Sequence, residues 1–401
     1  MTPLMESMTP VWTGAVCPER RLVLHAIRTY LSGDPGCLLP ALAEPLDWVA
    51  VERIADYRSV TPLIAYALRQ YGGDSVPPAL RERLQQRLIL TAQRNLVSIA
   101  EWTRILHGFD EANISVISLK GPVLALLAYS NFALREFNDI DLLVHPNQIA
   151  KARDILVASG YEICSPLAGS SDAMLLRCRN SQLDLIHRKQ RIRVDLHWGA
   201  WHVMFPFQMP TNAVFQSARQ EQYEAITFLA PSPEHLLIYL CAHGTKHCWR
   251  SLRWVCDIAC HLHASANLDW QSCFHSAEAC RCELVLKHSL LLVHRVLGVD
   301  LPPFLWNYCN CAEAHKLAET AMSLLLRESP CSVEKRVKRR SFASITGSLM
   351  GAILLRFLRG PGGRRHASRK HEKSHSHPRT GDASGCSSFV TLLIHWYVAE
   401  L

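Results

Sequence analysis

Near residue 112 the spacing of apolar residues changes from a helical to a strand period, which restricts the chain to a mixed architecture. From Pro18 to Ala112, apolar residues recur at i, i+3, i+4 and i+7, most clearly in LDWVAVERIADYRSVTPLIAYALRQYG and PALRERLQQRLILTAQRNLVSIAEWTRILHGFDEAN. Gly72-Gly73 and Pro78 mark the boundary between those two helical stretches. Beyond the change, Ile114 to Gly121 (ISVISLKG) is short and β-branched, as a strand requires, and PVLALLAYSNFAL follows as a helix with Pro122 in its first turn. Asp139 to His145 (DIDLLVH) reads as a second strand, PNQIAKARDILVASG as a helix that Gly160 ends, and YEICSP as a third strand. Ser181 to Gly199 alternates as two strands around a polar turn at Arg188 to Gln190. Strand, helix, strand, helix and hairpin build a small mixed sheet. The expected class is α+β, with an α/β core over 113–200 between an N-terminal helical region (1–112) and a C-terminal helical one (201–330).

That second helical region begins with Ser232 as N-cap and Pro233 in the first turn, and its pattern runs to about Arg327. Residues 331–401 are a different material, a basic tail. Within it, residues 333–382 hold 13 Lys and Arg against Glu334, Glu372 and Asp382, so of the net +8 the tail segment supplies +10 and the remainder about −2. The body therefore lacks the basic field of a nucleic-acid binder, and no nucleic-acid partner is expected. The stretch GPGGRRHASRKHEKSHSHPRTGDASG has the composition of a disordered segment. The apolar patch Ala343 to Leu358 carries Arg356 and is too short to span a bilayer. Between basic flanks it suits peripheral contact with an anionic inner membrane face, or packing as an ordinary terminal helix. The first 40 residues show no signal-peptide pattern, and the fifteen cysteines lie scattered through helical segments. Both point to reduced thiols and a cytoplasmic location.

One strand in the core carries an unusual load. In FNDIDLLV, Asp139 and Asp141 are two apart, so both project from one face while Ile140 and Leu142 turn to the other. Two like charges at that distance repel, and a divalent cation would relieve them. Asp195 in RVDLHW, on a face with Arg193 and His197, offers a third carboxylate; Asp184 in LDLIH competes for that role. Lys120-Gly121-Pro122, where the first strand meets a helix, brings backbone N–H groups, a residue that permits close approach, and a point charge suited to a triphosphate.

The stretch LKGPVLALLAYSNFALREFNDIDLLVHPNQIAKARDILVASGYE resembles the polymerase beta-like nucleotidyltransferase superfamily, and more closely a bacterial family of uncharacterised nucleotidyltransferases. Arg135, Asp139, Asp141, Gly160, Tyr161 and Asp195 stand at the matching places, and LCAHGTKHCWRSLRWVCDIA is similar to the helical signature of that family. The resemblance covers roughly residues 45 to 290. It implies a small mixed-sheet polymerase beta-like core that moves a nucleoside monophosphate from an NTP, ATP among them, to an acceptor with release of pyrophosphate. Mg²⁺ or Mn²⁺ would be held by Asp139, Asp141 and Asp195, and Lys120, Gly121 and Arg135 would hold the phosphates. The acceptor, whether small molecule, sugar or protein, is not implied. The chain departs from the superfamily in having Gly121-Pro122 where Gly-Ser is usual, which removes a hydroxyl from the phosphate turn. That departure keeps open an alternative, a weak or inactive nucleotide-binding or assembly protein that retains the fold.

Weaker signals have plainer readings beside functional ones. His243 and His247 lie four apart on a helix, a metal-binding spacing, but Gly244 stands where a zinc-protease motif has Glu, and packing at a helix interface is the simpler reading. Arg253 and Asp257 are most simply an i, i+4 ion pair. Because all four fall in the helical signature, they are candidates for the acceptor side of the cleft. Cys280-Arg281-Cys282 and Cys309-Asn310-Cys311 are closer than the usual zinc spacing and read as ordinary thiols.

Overall fold

The helical period upstream of residue 112 and the strand period after it correspond to real elements in the computed structural model. The structure describes residues 16–129, 131–164, 171–172, 181–199 and 209–326, all within one compact unit, Met1–Arg327. The basic tail, its apolar patch and its histidine-rich run lie outside the described residues. Five helices come first: α1 (Pro18–Ser32), α2 (Leu38–Leu42), α3 (Trp48–Tyr57), α4 (Thr61–Tyr71) and α5 (Pro78–Glu111). Their ends follow local chemistry. Asp47 caps α3 by accepting from the N–H groups of Val49 and Ala50, and Pro78 opens α5, whose 34 residues span about 50 Å.

The core begins with β1 (Val116–Ser118), α6 (Pro122–Leu127) and β2 (Asp139–Val144), then α7 (Ile149–Ala158), β3 (Tyr161–Ile163), β4 (Gln182–His187) and β5 (Arg193–His197). After α8 (Thr211–Ser217) come β6 (Arg219–Tyr223) and β7 (Ile226–Ala230). The seven strands form one mixed sheet in the order β3-β4-β5-β2-β1-β7-β6. β2 runs parallel to β5 and antiparallel to β1, and β7 runs parallel to β1. The class is α+β, a mixed sheet flanked by helices. The sheet is larger than the sequence pattern indicates, because residues 219–230, read as part of a helical region, form its last hairpin. RQEQY has no apolar alternation to reveal it; it is an edge strand, largely exposed apart from Glu221 and Tyr223, whereas ITFLA beside it buries Phe228 and Ala230.

One face of the sheet is apolar. Ile140, Leu142, Val194 and Leu196 pack with Trp102 and Phe109 of α5 in the main core. Period 2 then forces Asp139, Asp141, Asp195 and His197 onto the opposite face. After the sheet come α9 (Pro233–Lys246), α10 (Leu252–Ala264), α11 (Trp270–Ala279), α12 (Glu283–Leu297), α13 (Pro303–Cys309) and α14 (Ala312–Leu326), and Tyr239 of α9 lies close enough to Asp141 to feel its charge. Ser232 caps α9 by accepting from the His235 N–H, as its sequence indicates. No helix among the described residues is long and apolar enough to cross a membrane.

Gly121 sets the crossing of the β1–α6 turn over β2. Its φ is +70°, and a Cβ there would stand 2.6 Å from the Asp139 carbonyl oxygen. Gly121→Ala is therefore expected to cost about 2–4 kcal/mol from backbone strain and overlap. Urea denaturation measures it; an unchanged midpoint would show that the turn relaxes.

Candidate active site

The register of β2 against β5 builds the site. Asp141 lies opposite Asp195 and Ile140 opposite Val194, so two carboxylates meet on one face while the core closes behind them. Asp195 also faces Asp184 on β4. Asp184, however, accepts a hydrogen bond from Gln182 one strand farther out, and of the two competing residues it is Asp195 that sits with Asp141. Ligand atoms of Asp141, Asp195 and His197 all lie within 4.8 Å of one another.

Lys120, at the end of β1, enters this face from the other side. Its Nζ donates to Asp141 Oδ2 at 2.6 Å and to Asp139 Oδ2 at 3.3 Å. The second Asp141 oxygen, Oδ1, lies 3.3 Å from His197 Nε2. Asp141 is 1 % exposed, so its charge depends on these two partners. Burial pushes its carboxyl up, but Lys120 first and then His197 outweigh that and hold it down at about 2. Asp195 has the opposite balance: burial and then the negative charges of Asp141 and Asp139 raise it well above the ordinary carboxylate range. Among the described residues no hydrogen-bond donor reaches the Asp195 carboxylate.

The donor set fits a divalent cation. Ligands about 2.1 Å from a common centre stand roughly 3–4 Å apart, a spacing that three groups within 4.8 Å can meet, and a cation would relieve the repulsion that raises Asp195. Asp139 is outside this cluster; its side chain is 36 % exposed and engaged with Lys120.

Helix α9 walls the site. Tyr239, buried, is pushed above its usual range by desolvation and then by the charge of Asp141. Along the same stripe of the helix, the ring of His243 is 6.2 Å from that of Tyr239 and 4.7 Å from that of His247, and Trp254 of α10 stacks on His247 at 5.1 Å. Gly244 makes the corner, since a Cβ there would collide with the Trp249 ring. Burial, with Lys120 among the nearby positive charges, holds His243 and His247 well below the normal histidine range, so both are neutral imidazoles. The H-G-x-x-H spacing thus brings two neutral rings beside the carboxylate face.

The other two signature residues do something else. Arg253 and Asp257 do not pair. Arg253 Nη1 donates to the Glu136 carbonyl at 2.9 Å, whereas Asp257 accepts from Arg135 Nε at 2.7 Å, Arg135 Nη2 at 3.0 Å and the Tyr129 hydroxyl at 2.7 Å. Arg135, 5 % exposed, ties the segment before β2 to α10, and its Nη1 also donates to the Gly121 carbonyl at 3.4 Å. Tyr161 likewise donates to Glu101 of α5 at 2.7 Å, a core role. His197 is the residue the carboxylate pattern passed over; its signal was the shared face with Asp195 in RVDLHW. Cys280, Cys282 and Cys309 are buried free thiols, raised by desolvation.

A family model described as "Uncharacterised nucleotidyltransferase" matches residues 44–298, which takes in the sheet, the carboxylate face and the His243–His247 wall. No curated protein and no solved structure matches the chain.

Proposed function

The chain belongs to the uncharacterised nucleotidyltransferase family, and from that premise we propose that the carboxylate face transfers a nucleoside monophosphate from an NTP to an acceptor. The observation that carries this reading is the β2–β5 register, which sets Asp141 against Asp195 on a polar face closed by Lys120, His197 and α9. In the reaction the acceptor oxygen or nitrogen bonds to the α-phosphorus, the bond from α-phosphorus to the β-bridging oxygen breaks, pyrophosphate leaves, and the acceptor releases a proton. A divalent cation, Mg²⁺ or Mn²⁺, would supply charge neutralisation at the phosphates and alignment of the α-phosphate. Asp141 and Asp195 would hold it. Lys120 would pass from Asp139 to the triphosphate, freeing Asp139 as a further ligand, and Gly121 keeps the turn close to β2. His243 and His247 would line the acceptor side, where neutral imidazoles can accept a proton.

Purified protein given α-labelled ATP, GTP, CTP or UTP, a divalent cation and cell extract should move label to an acceptor, and Asp195→Asn should stop it. Absence of transfer from every NTP, or transfer that survives Asp195→Asn, would defeat the reading. The ion pairs of Lys120 with Asp139 and Asp141 also favour a second one, a protein that binds nucleotide without turning it over. Calorimetric NTP binding with no pyrophosphate release in any extract would select it.

A further inference from the structure

Asp141 stands in the middle of a row. Strand geometry puts Asp139 about 7 Å to one side of it along β2, while on β5 His197 lies on the far side of Asp195. A cation seated between Asp141 and Asp195 can complete its protein ligands from either end. With Asp139 it would have three carboxylates, the all-oxygen set that Mg²⁺ prefers. With His197 it would have two carboxylates and an imidazole.

Before nucleotide draws Lys120 away, the side-chain contacts favour the His197 end. The Asp139 carboxylate is taken by Lys120 at 3.3 Å, and Lys120 is itself anchored by the 2.6 Å bond to Asp141 Oδ2. The opposite Asp141 oxygen faces His197 Nε2 at 3.3 Å, and the His197 side chain is 8 % exposed. Asp195, with no hydrogen-bond donor among the described residues, completes the three. We propose that Asp141, Asp195 and His197 form a mixed oxygen–nitrogen site that selects a first-row transition cation over Mg²⁺. The inference rests on the metal-dependent reading above and adds the ligand and the cation class. Its chemical basis is that imidazole nitrogen favours transition cations, whereas Mg²⁺ demands oxygen and keeps its water.

Mn²⁺ is the probe because its electron spin reports bound nitrogen directly. The protein, stripped of metal, is titrated with MnCl₂ in the absence of nucleotide. Pulsed electron paramagnetic resonance should show one directly coordinated ¹⁴N in the wild type. His197→Gln should abolish that coupling and weaken Mn²⁺ binding at least about tenfold, the smaller of the effects seen when even a ligand's supporting partner is removed. MgCl₂ should displace Mn²⁺ from the wild type only at about tenfold excess or more. No ¹⁴N coupling in the wild type, a reading that needs no variant to fold, would overturn the proposal, as would displacement by equimolar Mg²⁺. Because nucleotide is absent, the outcome is separate from transfer activity. A chain that transfers label without the nitrogen coupling refutes only this inference, and one with the coupling but no transfer refutes only the reading above.

Discussion

Asp141→Asn is expected to lower kcat/KM for nucleotidyl transfer about a thousandfold or more, some 4 kcal/mol of transition-state stabilisation. The substitution keeps shape and one acceptor oxygen, so the strand and its core partners Ile140 and Leu142 remain in place. What it removes is the charge at the centre of the row. Among the described residues, Asp141 is the one carboxylate that touches both Lys120 and His197, and it also lies across from Asp195. Without its charge the cation cluster drops to one carboxylate and one imidazole, and Lys120 is left with the half-exposed Asp139 alone. Asp184→Asn is the matched control. Asp184 sits one strand away with Gln182, so its neutralisation should cost under about 0.5 kcal/mol, or about twofold in rate. Single-turnover assays with NTP varied below its KM, at saturating cation, would measure both. Equal losses in the two variants would mean that Asp184, not the β2–β5 pair, holds the reacting end.

The difference between those two aspartates shows what the sequence could and could not say. Period 2 placed Asp139 with Asp141, and Asp195 with His197, because those relations lie within a strand. The helix starts at Pro78 and Ser232 and the polar turn at Arg188 to Gln190 were legible for the same reason: each is set by neighbours within a few residues. Relations across the chain were not. The face shared with Arg193 and His197 put Asp195 ahead of Asp184 without excluding it, since both lie between apolar residues on alternating strands; the parallel pairing of β5 with β2 separates them. The hairpin of β6 and β7 escaped because the edge strand RQEQY has a single apolar residue, Tyr223, and so carries no apolar alternation. Lys120 pointed toward phosphate by its place beside Gly121, yet it is the folded position of Asp139 and Asp141 that gives it partners. Arg253 and Asp257 had the spacing of a helical pair, but spacing counts only one source of partners. Arg135, 122 residues away, makes two hydrogen bonds to Asp257 in a buried setting, and such a fork outweighs a single-contact pair at a surface.

That fork yields the second large effect. Arg135→Met is expected to destabilise the protein by about 3–5 kcal/mol, because it strands the Asp257 carboxylate in a site where it is 2 % exposed. Desolvation opposes the charge of Arg135, but Asp257 more than offsets it and raises the guanidinium above its usual range. The cost arises from the uncompensated partner rather than from the attraction lost, and this has a consequence that can be measured. Removing the whole polar group, Arg135→Met with Asp257→Leu and Tyr129→Phe, should recover most of the loss, since apolar groups of similar volume commonly replace a buried pair at little cost. Urea denaturation of the single and triple variants tests the coupling, and NTP affinity measured on the same proteins tests the alternative role. If Arg135 instead served the triphosphate, Arg135→Met would leave the unfolding midpoint in place and raise the KM for NTP. Tethering predicts the reverse order, a large fall in stability with nucleotide affinity preserved in the triple variant. The ion pair then belongs to the joint that holds α10, and through its stacked Trp254 the His243–His247 wall, against the carboxylate face.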